Sequence, residues 1–319
     1  MPESSKPAAL FRLMRPGDWV KNVFVLPALV FSLPLLMEQD VPVAPLAIDS
    51  LIAVIAFCLI SSGFYALNDV ADAPRDREHP IKRLRPVASG AVTIQEATLL
   101  GVVLILAALA ISAVVNALLV TTLLTYAILQ LLYNLRIKRV MLVDVVTVAL
   151  GFALRAAAGA VAIERPISIW LLLCVFFLCL YLGFVKRLCD LSSAKAAGSL
   201  QWRSAAGYDD RMELNWLLGV SAVLAIVTYL MYALSDHARE LFGSRANGFA
   251  LLSPLVMIAI HRFYRRASRG TSDSPLAALM EDRAVRYSVV LFTVGVLASL
   301  YVPFVQEMLD HVFIAGMEE

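Results

Sequence analysis

Three aspartates near residue 70 have the residue type and spacing of a site that binds a metal ion and phosphate. They follow Asn68 at relative positions i, i+3 and i+7: Asp69, Asp72 and Asp76. If the preceding apolar helix continues to about Ala73, the first two project from one face of its end, and we expect Pro74 to stop the helix. Mg²⁺ is usually held by one or two carboxylates together with substrate phosphates and water. The pattern therefore predicts a Mg²⁺ cofactor on the three aspartates, with Asn68 as a further ligand or orienting group.

Five basic residues follow the aspartates in the same segment: Arg75, Arg77, Lys82, Arg83 and Arg85. Acids followed by bases are typical of a site that binds pyrophosphate through Mg²⁺ and by direct charge pairing. The simpler interpretation is a solvated cytoplasmic loop between two membrane helices. The ordered aspartates at a helix end favour the site, with Lys82, Arg83 and Arg85 on a substrate phosphate. We interpret His79 as a structural loop residue before Pro80.

The composition indicates an integral membrane protein. Of the 319 residues, 60% are hydrophobic and the mean hydropathy is +0.78, whereas a soluble domain is about half apolar. The four cysteines show no C-x-x-C spacing and the four histidines are dispersed, so the sequence predicts neither a disulfide framework nor a zinc site. The net charge of +2 says little about partners. We expect the lipid bilayer as a partner and no nucleic acid.

Nine segments are long and apolar enough to cross a bilayer, which takes about 20 residues per helix. They cover about 18–37, 46–66, 96–115, 117–134, 141–163, 167–188, 213–234, 247–265 and 284–305. Pro27 and Pro34 interrupt the first run, and no clear cleavage site follows it, so we interpret it as a retained helix and not as a signal peptide. The sequence therefore predicts an all-α integral membrane protein with nine transmembrane helices in a single domain, 1–319.

The basic residues set the orientation of these helices. With the N-terminus inside, 23 of the 27 lysines and arginines lie on the cytoplasmic side, three lie outside and Arg155 lies within a helix. Because cytoplasmic loops carry the basic excess in membrane proteins, we predict a cytoplasmic N-terminus and an outside C-terminus in the cell (inner) membrane. The long loops, 67–95, 189–212 and 266–283, then all emerge in the cytoplasm, where we expect the chemistry.

A second charged group follows the sixth predicted helix. Lys186 and Asp190 are spaced i, i+4 with Arg187 between them, and an ion pair at a helix end is the simpler interpretation. The two charged groups follow helices two and six, and a bundle of two similar halves would place them in one cavity. The chain shows no convincing sequence repeat that supports such a duplication.

The fifth predicted helix carries two further unusual residues. Asp144 lies one turn from its cytoplasmic end, and Arg155 lies about three turns or 16 Å deeper on the same stripe, which includes Gly151. A charge at that depth costs several kcal/mol unless it meets a partner or water, so we expect Arg155 to face the interior as a functional residue. The alternative is that its side chain extends to the outer interface near Glu164.

The Asn68–Asp76 pattern resembles the first aspartate-rich motif of the UbiA superfamily of intramembrane prenyltransferases. Within it, the chain looks like the decaprenyl-phosphate phosphoribosyltransferase branch, on stretches that run most of its length: 15–22, 68–90, 133–138, 143–156 and 186–187, with a weaker match over 273–283. Asp190 stands where that branch usually has glutamate, and Cys189 and Tyr133-Asn134 stand where we expect Ala and Tyr-Ser. These departures concern lipid length and rate more than reaction class.

The resemblance implies a UbiA-type bundle of nine helices with a cytoplasm-facing active-site cavity. It also implies Mg²⁺-dependent transfer of the 5-phosphoribosyl group from phosphoribosyl pyrophosphate to a polyprenyl phosphate of the decaprenyl type, releasing pyrophosphate. Asp69, Asp72 and Asp76 would be the catalytic metal ligands. We expect substrate binding by a larger set: Lys21, Asn22, Asn68, Lys82, Arg83, Arg85, Tyr133, Arg136, Lys138, Asp144, Arg155, Lys186, Arg187 and Asp190. The oligomeric state, including a homo-oligomer, is left open.

Three other functions compete with this interpretation. An aromatic prenyltransferase would share the fold and the first motif, but it normally holds a lipid diphosphate with a second aspartate cluster, whereas the group after helix six has one acid and two bases. A transporter would have acids at mid-membrane or broken helices. A purely structural subunit would not explain the Asn68–Asp76 pattern.

Overall fold

The computed structural model describes residues 5–78, 82–196, 206–270 and 275–313. Every regular element in these ranges is helical. The α-helices are, in chain order, α1 (Lys6–Leu13), α2 (Pro27–Glu38), α3 (Val43–Asp76), α4 (Ile94–Val115), α5 (Ala117–Leu135), α6 (Val143–Ala162), α7 (Ile169–Ala196), α8 (Arg211–Ala233), α9 (Asp236–Phe242), α10 (Arg245–Leu251), α11 (Ser253–Ser268), α12 (Pro275–Glu281), α13 (Arg283–Tyr301) and α14 (Pro303–Phe313). The all-α prediction is therefore confirmed for these residues.

Nine stretches of the described chain are long and apolar enough to cross a membrane, and each overlaps one predicted span, so that prediction is confirmed. Seven are single helices. The first, Lys6–Glu38, combines α1, a 3-10 helix (Pro16–Val25) and α2, and the eighth, Arg245–Ser268, combines α10 and α11. At these two places the span is therefore built from successive helices and not from one. Prolines stand at the breaks: Pro16, Pro27 and Pro254. Proline has no backbone N–H to donate a hydrogen bond, and it disfavours the helical conformation of the residue before it.

Contacts divide the chain into two compact units. The first unit has three segments: Met1–Val30, Pro42–Leu135 and Leu154–Pro166. The second unit also has three: Phe31–Val41, Arg136–Ala153 and Ile167–Glu319. Each unit therefore gathers residues that are far apart in the sequence. The expectation of a single domain over 1–319 stays a prediction.

The first unit is built on the packing of α3 against α4. A capping box between Thr93 and Glu96 starts α4, because each side chain bonds to the other residue's backbone N–H. Two glycines stand where the helix backbones meet, since a Cβ atom on Gly63 would lie 2.7 Å from the carbonyl oxygen of Gly101. The close approach leaves α3 firmly placed, and the aspartate segment lies at its end.

Helix α3 continues through Pro74 to Asp76, although the sequence predicts that Pro74 ends it. Proline cannot donate a hydrogen bond to the carbonyl four residues earlier, but Pro74 is exposed in the last turn, so the loss is confined to one bond. The helical pattern holds beyond the proline, since the amide of Arg77, three residues later, donates to Ala73 O over 3.2 Å. As a result, Asp76 lies on the helix, two turns beyond Asp69.

Helix α6 approaches the 3-10 helix Pro16–Val25 closely at Gly159. A Cβ atom on Gly159 would overlap the carbonyl oxygen of Val25 and lie 2.8 Å from its carbonyl carbon. A residue without a side chain is therefore needed for the two backbones to touch. This end of α6 supports the segment that carries Lys21 and Asn22.

In the second unit, α7 packs along α8, and α11 packs against α13. Asp210 caps the start of α8 and Asp282 caps the start of α13, each by accepting hydrogen bonds from backbone N–H groups of the first turn. Helix α13 ends at Tyr301, before the predicted boundary at about 305, because Pro303 cannot continue it and starts α14 instead.

Candidate active site

In the first unit, Arg15, Asp69, Asp76 and Arg85 form an ionic cluster, here called the first cluster. Asp69 and Asp76 are buried on one face of α3. The guanidinium of Arg15 donates to Oδ1 of Asp69 over 2.6 Å. Nη1 of Arg85 donates to Oδ2 of Asp76 over 2.7 Å and lies 3.6 Å from Oδ1 of Asp69. Arg85 therefore bridges the two carboxylates.

Both arginines of the first cluster come from outside α3. Burying an unpaired charge costs several kcal/mol, and the arginines offset that cost for the two carboxylates of the cluster. Arg15 precedes the 3-10 helix with φ 53°, in the left-handed region, and its guanidinium lies 4.9 Å from the ring centroid of Tyr65. Arg85 was predicted as a site residue, whereas Arg15 was not. The signal for Arg15 is its place in the 15–22 stretch that carries the family resemblance.

The first cluster provides oxygen ligands of the kind that Mg²⁺ prefers. Two carboxylates already face one cationic nitrogen, that of Arg85. Among the residues that the structure describes, no three His, Cys, Asp or Glu side chains converge closely enough to hold a metal ion by themselves. All three predicted ligands lie on α3, with Asp72 half-buried between Asp69 and Asp76. The donor set fits Mg²⁺ when substrate phosphates and water supply the remaining ligands.

The predicted basic residues of the first unit differ in exposure. Lys82 and Arg83 are exposed in a short 3-10 helix, Lys82–Leu84, directly before Arg85. Lys21 pairs with Asp18 over 2.5 Å one turn earlier in its own helix. The side chains of Lys82 and Arg83 therefore reach solvent.

Four further predicted residues lie near helix ends. Asn68 and Tyr133 are half-buried towards the ends of α3 and α5. Arg136 is exposed and Lys138 is half-buried in the second unit, just before α6. Residues 79–81 lie outside the described residues, so the interpretation of His79 as a structural loop residue stays a prediction.

Arg155 is buried within the first unit, with 4% of its surface exposed. Its Nε donates to Oδ1 of Asn22 over 2.8 Å, and its Nη2 donates to the hydroxyl of Tyr126 over 2.9 Å. The guanidinium also lies 5.5 Å from the ring centroid of Phe57 and 4.9 Å from that of Tyr126. The interior position of Arg155 is as expected. The alternative, extension to the outer interface near Glu164, is wrong because these partners hold the side chain inside.

Asn22 extends the contacts of Arg155 to α3. It is buried, and its side-chain amide donates to Sγ of Cys58 over 3.2 Å. Asn22 and Arg155 thus connect the 3-10 helix, α3, α5 and α6 of the first unit. Tyr126 and Cys58 were not predicted, because a single polar atom in an apolar helix gives little signal. The assignment of Asn22 and Arg155 to substrate binding stays a prediction.

The second cluster lies in the second unit and consists of Asp144, Lys186, Arg187, Asp190 and Tyr208. Asp144 is fully buried, and its Oδ2 accepts from Nη2 of Arg187 over 2.7 Å. Nζ of Lys186 donates to Oδ1 of Asp190 over 3.2 Å, which confirms the i, i+4 ion pair. Nη1 of Arg187 lies 3.7 Å from Oδ2 of Asp190. The cluster therefore has two acids where the sequence indicated one, because α6 brings Asp144 to it.

Tyr208 was not predicted, since it lies in a loop whose sequence has no periodic pattern. Its hydroxyl donates to Oδ1 of Asp144 over 2.5 Å and accepts from the backbone N–H of Leu142 over 2.8 Å. Leu142 has φ 69°, in the left-handed region, at the turn before α6. Burial raises the pKa of Tyr208, and the hydrogen bond to Asp144 raises it further. The hydroxyl therefore stays protonated at physiological pH and keeps donating.

Asp282 anchors the stretch that weakly resembles the family's last cytoplasmic loop. Its Oδ2 accepts from Nη2 of Arg262 over 2.8 Å. Burial by itself would raise the pKa of Asp282, but the backbone N–H of Val285 and the guanidinium of Arg262 lower that pKa below its ordinary value. The carboxylate is therefore charged at neutral pH. Residues 273 and 274 of the stretch lie outside the described residues.

Residues 24–266, most of the chain, match the UbiA prenyltransferase family. The chain belongs to the UbiA prenyltransferase family. The matched range of this UbiA-family protein includes the whole second cluster and, except for Arg15, the first. The resemblance read from the Asn68–Asp76 pattern is thus confirmed, as is the prediction of an enzyme of the transferase class.

Two relatives of this UbiA-family chain are decaprenyl-phosphate phosphoribosyltransferases. The one from Mycolicibacterium smegmatis is 31% identical over 304 residues, which cover 94% of this chain and 95% of the relative. The one from Mycobacterium tuberculosis is 32% identical over 286 residues, which cover 89% of this chain and 92% of the relative. The similarity therefore extends over nearly the full length of each protein.

A solved structure supports the UbiA fold. The structure of a UbiA homolog from Archaeoglobus fulgidus bound to GPP and Mg²⁺ matches with a TM-score of 0.63 over 92% of this chain and 98% of that chain, at 19% identity. The likeness shows the fold alone. Together with the nine membrane-length spans of the described residues, it establishes a multi-pass membrane protein with a UbiA-type bundle.

Proposed function

We propose that this protein transfers the 5-phosphoribosyl group of phosphoribosyl pyrophosphate to a polyprenyl phosphate of the decaprenyl type and releases pyrophosphate. The observation that carries the proposal is the similarity, at 31% and 32% identity over nearly the whole chain, to decaprenyl-phosphate phosphoribosyltransferases. The ionic clusters add support, because the first offers carboxylates for a metal-bound diphosphate and the second offers a lysine and an arginine for a phosphate.

The reaction is a displacement at the anomeric carbon of ribose. A phosphate oxygen of the lipid forms the new bond to C1, while the bond from C1 to the pyrophosphate oxygen breaks and pyrophosphate leaves with the bonding electrons. The lipid phosphate is already ionised at neutral pH, since the second pKa of a phosphate monoester is about 6. No strong general base is required. The protein must instead position both substrates and compensate their negative charge.

We assign the first cluster and the neighbouring Asp72 to the pyrophosphate end of the donor. Mg²⁺, when bound there, would neutralise the departing pyrophosphate. Arg15 and Arg85 keep the buried carboxylates oriented, and Asn68 is adjacent on α3. The exposed side chains of Lys82 and Arg83 bind the 5-phosphate or the pyrophosphate.

We assign the second cluster to the phosphate of the acceptor lipid. Lys186 is exposed and Arg187 is partly exposed, so both can donate charge-assisted hydrogen bonds to a phosphate. Asp144 and Asp190 orient these two bases. An arginine held by a carboxylate presents its donors in a fixed plane, which suits phosphate recognition.

The second cluster favours this reaction over aromatic prenyl transfer, which would require acidic metal ligands there for a lipid diphosphate. Both of its acids are paired with bases: Asp144 with Arg187, and Asp190 with Lys186. The breaks in the first and eighth spans are a feature that transporters also show. Membership of a transferase family favours an enzyme.

We further propose that the N-terminus is cytoplasmic and the C-terminus is outside the cell membrane, because 23 basic residues then lie inside and three lie outside. Reporter enzymes fused to the C-terminus test this orientation. We expect activity from a reporter that works outside the cytoplasm. Activity only from a cytoplasmic reporter would reverse the assignment.

An assay of the full-length purified protein with Mg²⁺ tests the reaction. We expect a phosphoribosylated lipid and pyrophosphate from phosphoribosyl pyrophosphate and decaprenyl monophosphate. We expect no product from a polyprenyl diphosphate and 4-hydroxybenzoate. The Asp76→Asn variant controls for contaminating activity. Product in the second assay alone would overturn the proposal and identify an aromatic prenyltransferase.

A further inference from the structure

Tyr208 has no role in the assignments above, yet it is 1% exposed and contacts both Asp144 and Arg187 of the second cluster. Gly207, with φ 88°, turns the loop just before it. The Tyr208 hydroxyl donates to Oδ1 of Asp144 over 2.5 Å, and Oδ2 of Asp144 accepts from Arg187 over 2.7 Å. The hydroxyl is thus connected to the guanidinium through a single carboxylate.

Three further contacts hold the Tyr208 side chain in place. Its ring meets that of Phe184 edge-on, with centroids 6.3 Å apart, and the guanidinium of Arg187 lies 5.7 Å from its centroid. Its oxygen accepts from the backbone N–H of Leu142 over 2.8 Å. One oxygen of Asp144 is therefore bonded to Tyr208 and the other to Arg187.

We infer that Tyr208 is a positioning residue for the acceptor lipid: by holding Asp144, it fixes the Arg187 guanidinium where that group binds the polyprenyl phosphate. The inference rests on the proposed function, since it takes the lipid phosphate as the ligand of Arg187. A carboxylate held at one oxygen does not rotate, so a guanidinium paired with the other oxygen keeps one orientation. The Arg187 side chain is 24% exposed, whereas Asp144 is fully buried, so of these two residues only the arginine can contact a ligand.

A second carboxylate competes for Arg187. Oδ2 of Asp190 lies 3.7 Å from Nη1 of Arg187, one helical turn away on α7. Loss of the Tyr208 hydroxyl removes the donor to Oδ1 of Asp144 and lets that carboxylate turn, so the guanidinium can move towards Asp190. We expect weaker binding of the lipid phosphate and little change for the donor, whose pyrophosphate is assigned to the first cluster.

The test compares Tyr208→Phe with a matched control, Tyr181→Phe. Both tyrosines are 1% exposed in the second unit, but the Tyr181 hydroxyl donates to the backbone carbonyl of Ile260 over 2.6 Å and not to a charged group. We expect Y208F to raise KM for decaprenyl monophosphate about tenfold, the value of one hydrogen bond to a charged group, with KM for phosphoribosyl pyrophosphate unchanged within about twofold. Y181F should leave both constants unchanged.

A double-mutant cycle with Arg187→Lys tests the route through the arginine. Lysine has no planar donor pair that a carboxylate can orient, so Y208F should add less than about a twofold change in the R187K background. A tyrosine that only stabilises the fold would produce the same loss in both backgrounds. That second result would overturn the inference.

Direct binding of decaprenyl monophosphate, measured as a thermal shift of the purified proteins, separates this inference from the proposed function. If the wild type binds the lipid and Y208F binds it about tenfold more weakly, the inference holds even where no phosphoribosylated lipid forms. Equal binding by both proteins, no binding by the wild type, or equal rises in both KM values would overturn it. Failure of Y208F to fold while Y181F folds would also overturn it, in favour of a structural role.

Discussion

The two clusters hold their acids in different ways, although the acids of both are buried. In the first cluster, Asp69 and Asp76 accept hydrogen bonds from two arginines of other segments, whose side chains are 29% and 28% exposed. In the second cluster the arginine, Arg187, is similarly exposed at 24%, but Asp144 is also held by the hydroxyl of Tyr208. We interpret the first cluster as one whose acids exchange an arginine for a divalent cation and the second as one whose acid keeps its arginine in place.

The second donor on Asp144 explains the contrast. A partly exposed guanidinium loses little when it leaves a carboxylate, because water or a substrate phosphate can take the place of its partner. A divalent cation can then replace the arginine at the carboxylates of the first cluster. Asp144 accepts a hydrogen bond at each of its two oxygens, so the tyrosine keeps that carboxylate oriented towards the arginine.

The largest expected effect comes from neutralising the three aspartates of α3 that are predicted to hold Mg²⁺. Asp69→Asn, Asp72→Asn and Asp76→Asn should each lower turnover about a thousandfold or more, because each removes charge that would hold Mg²⁺, a contribution of several kcal/mol. The rate of lipid product is measured against Mg²⁺ concentration. The control is Glu38→Gln, an exposed acid paired with Arg245 over 3.2 Å, which should keep the wild-type rate. Full activity in two of the three variants, or of the wild type with a chelator, would contradict the assignment.

The next effect concerns stability and compares the clusters directly. Asp144→Asn should destabilise the protein by about 3 kcal/mol, since an amide oxygen can accept only one of the two hydrogen bonds that the buried carboxylate accepts, and the NH2 group then faces a donor. Asp69→Asn should cost about 1 kcal/mol, because an amide oxygen can still accept the hydrogen bond that Oδ1 receives from Arg15, whose side chain is partly exposed. Thermal unfolding in detergent measures both. Equal losses would remove the distinction between a cluster that exchanges cations and one that keeps them.

A smaller effect is expected for Lys186, the exposed lysine of the second cluster that we assign to the lipid phosphate. Lys186→Ala should raise KM for decaprenyl monophosphate about tenfold, because one charge-assisted hydrogen bond to the phosphate is lost. KM for phosphoribosyl pyrophosphate should change little. Lys6→Ala serves as the control, since Lys6 is an exposed lysine paired with Glu96. If KM rose more for phosphoribosyl pyrophosphate than for decaprenyl monophosphate, the assignment of Lys186 to the lipid phosphate would be wrong.

The smallest effect is a pH dependence at Asp282, an acid that also pairs with a partly exposed arginine. Because its pKa is lowered in the folded state, its contribution to stability is complete above the ordinary value of about 4 and is lost as the pH falls through the lowered pKa. We expect Asp282→Asn to lose about 1 kcal/mol at neutral pH and to depend less on pH below about 4. Parallel stability curves for the two proteins would contradict this.

Local sequence was sufficient for much of the fold and part of the site. Hydropathy over about 20 residues is a local property, so the nine spans were predictable. The Lys186–Asp190 pair follows from i, i+4 spacing. Proline was harder to interpret, because its effect depends on its position and exposure: Pro74 lies exposed in a last turn and is tolerated, whereas Pro254 stands at a break.

Contacts between distant residues explain what the sequence could not provide. Arg15 meets Asp69 across 54 positions, Tyr208 meets Asp144 across 64, and Arg155 meets Asn22 across 133: these pairs share no period and no motif. Types and local spacing identified the acids and most of the bases. The residues that orient them, Arg15 and Tyr208, become visible only when the chain is folded.

Gly159 limits what a mutational scan of this protein can reveal. Adding a single methyl group there would push the segment that carries Lys21 and Asn22 away from α6, because the new atom would overlap the carbonyl oxygen of Val25. A scan would then record a position as intolerant as the aspartates, although every charge and every hydrogen-bond donor is still present. Intolerance at Gly159 measures steric fit, whereas intolerance at Asp69 measures charge, and melting curves recorded beside the activities tell the two apart.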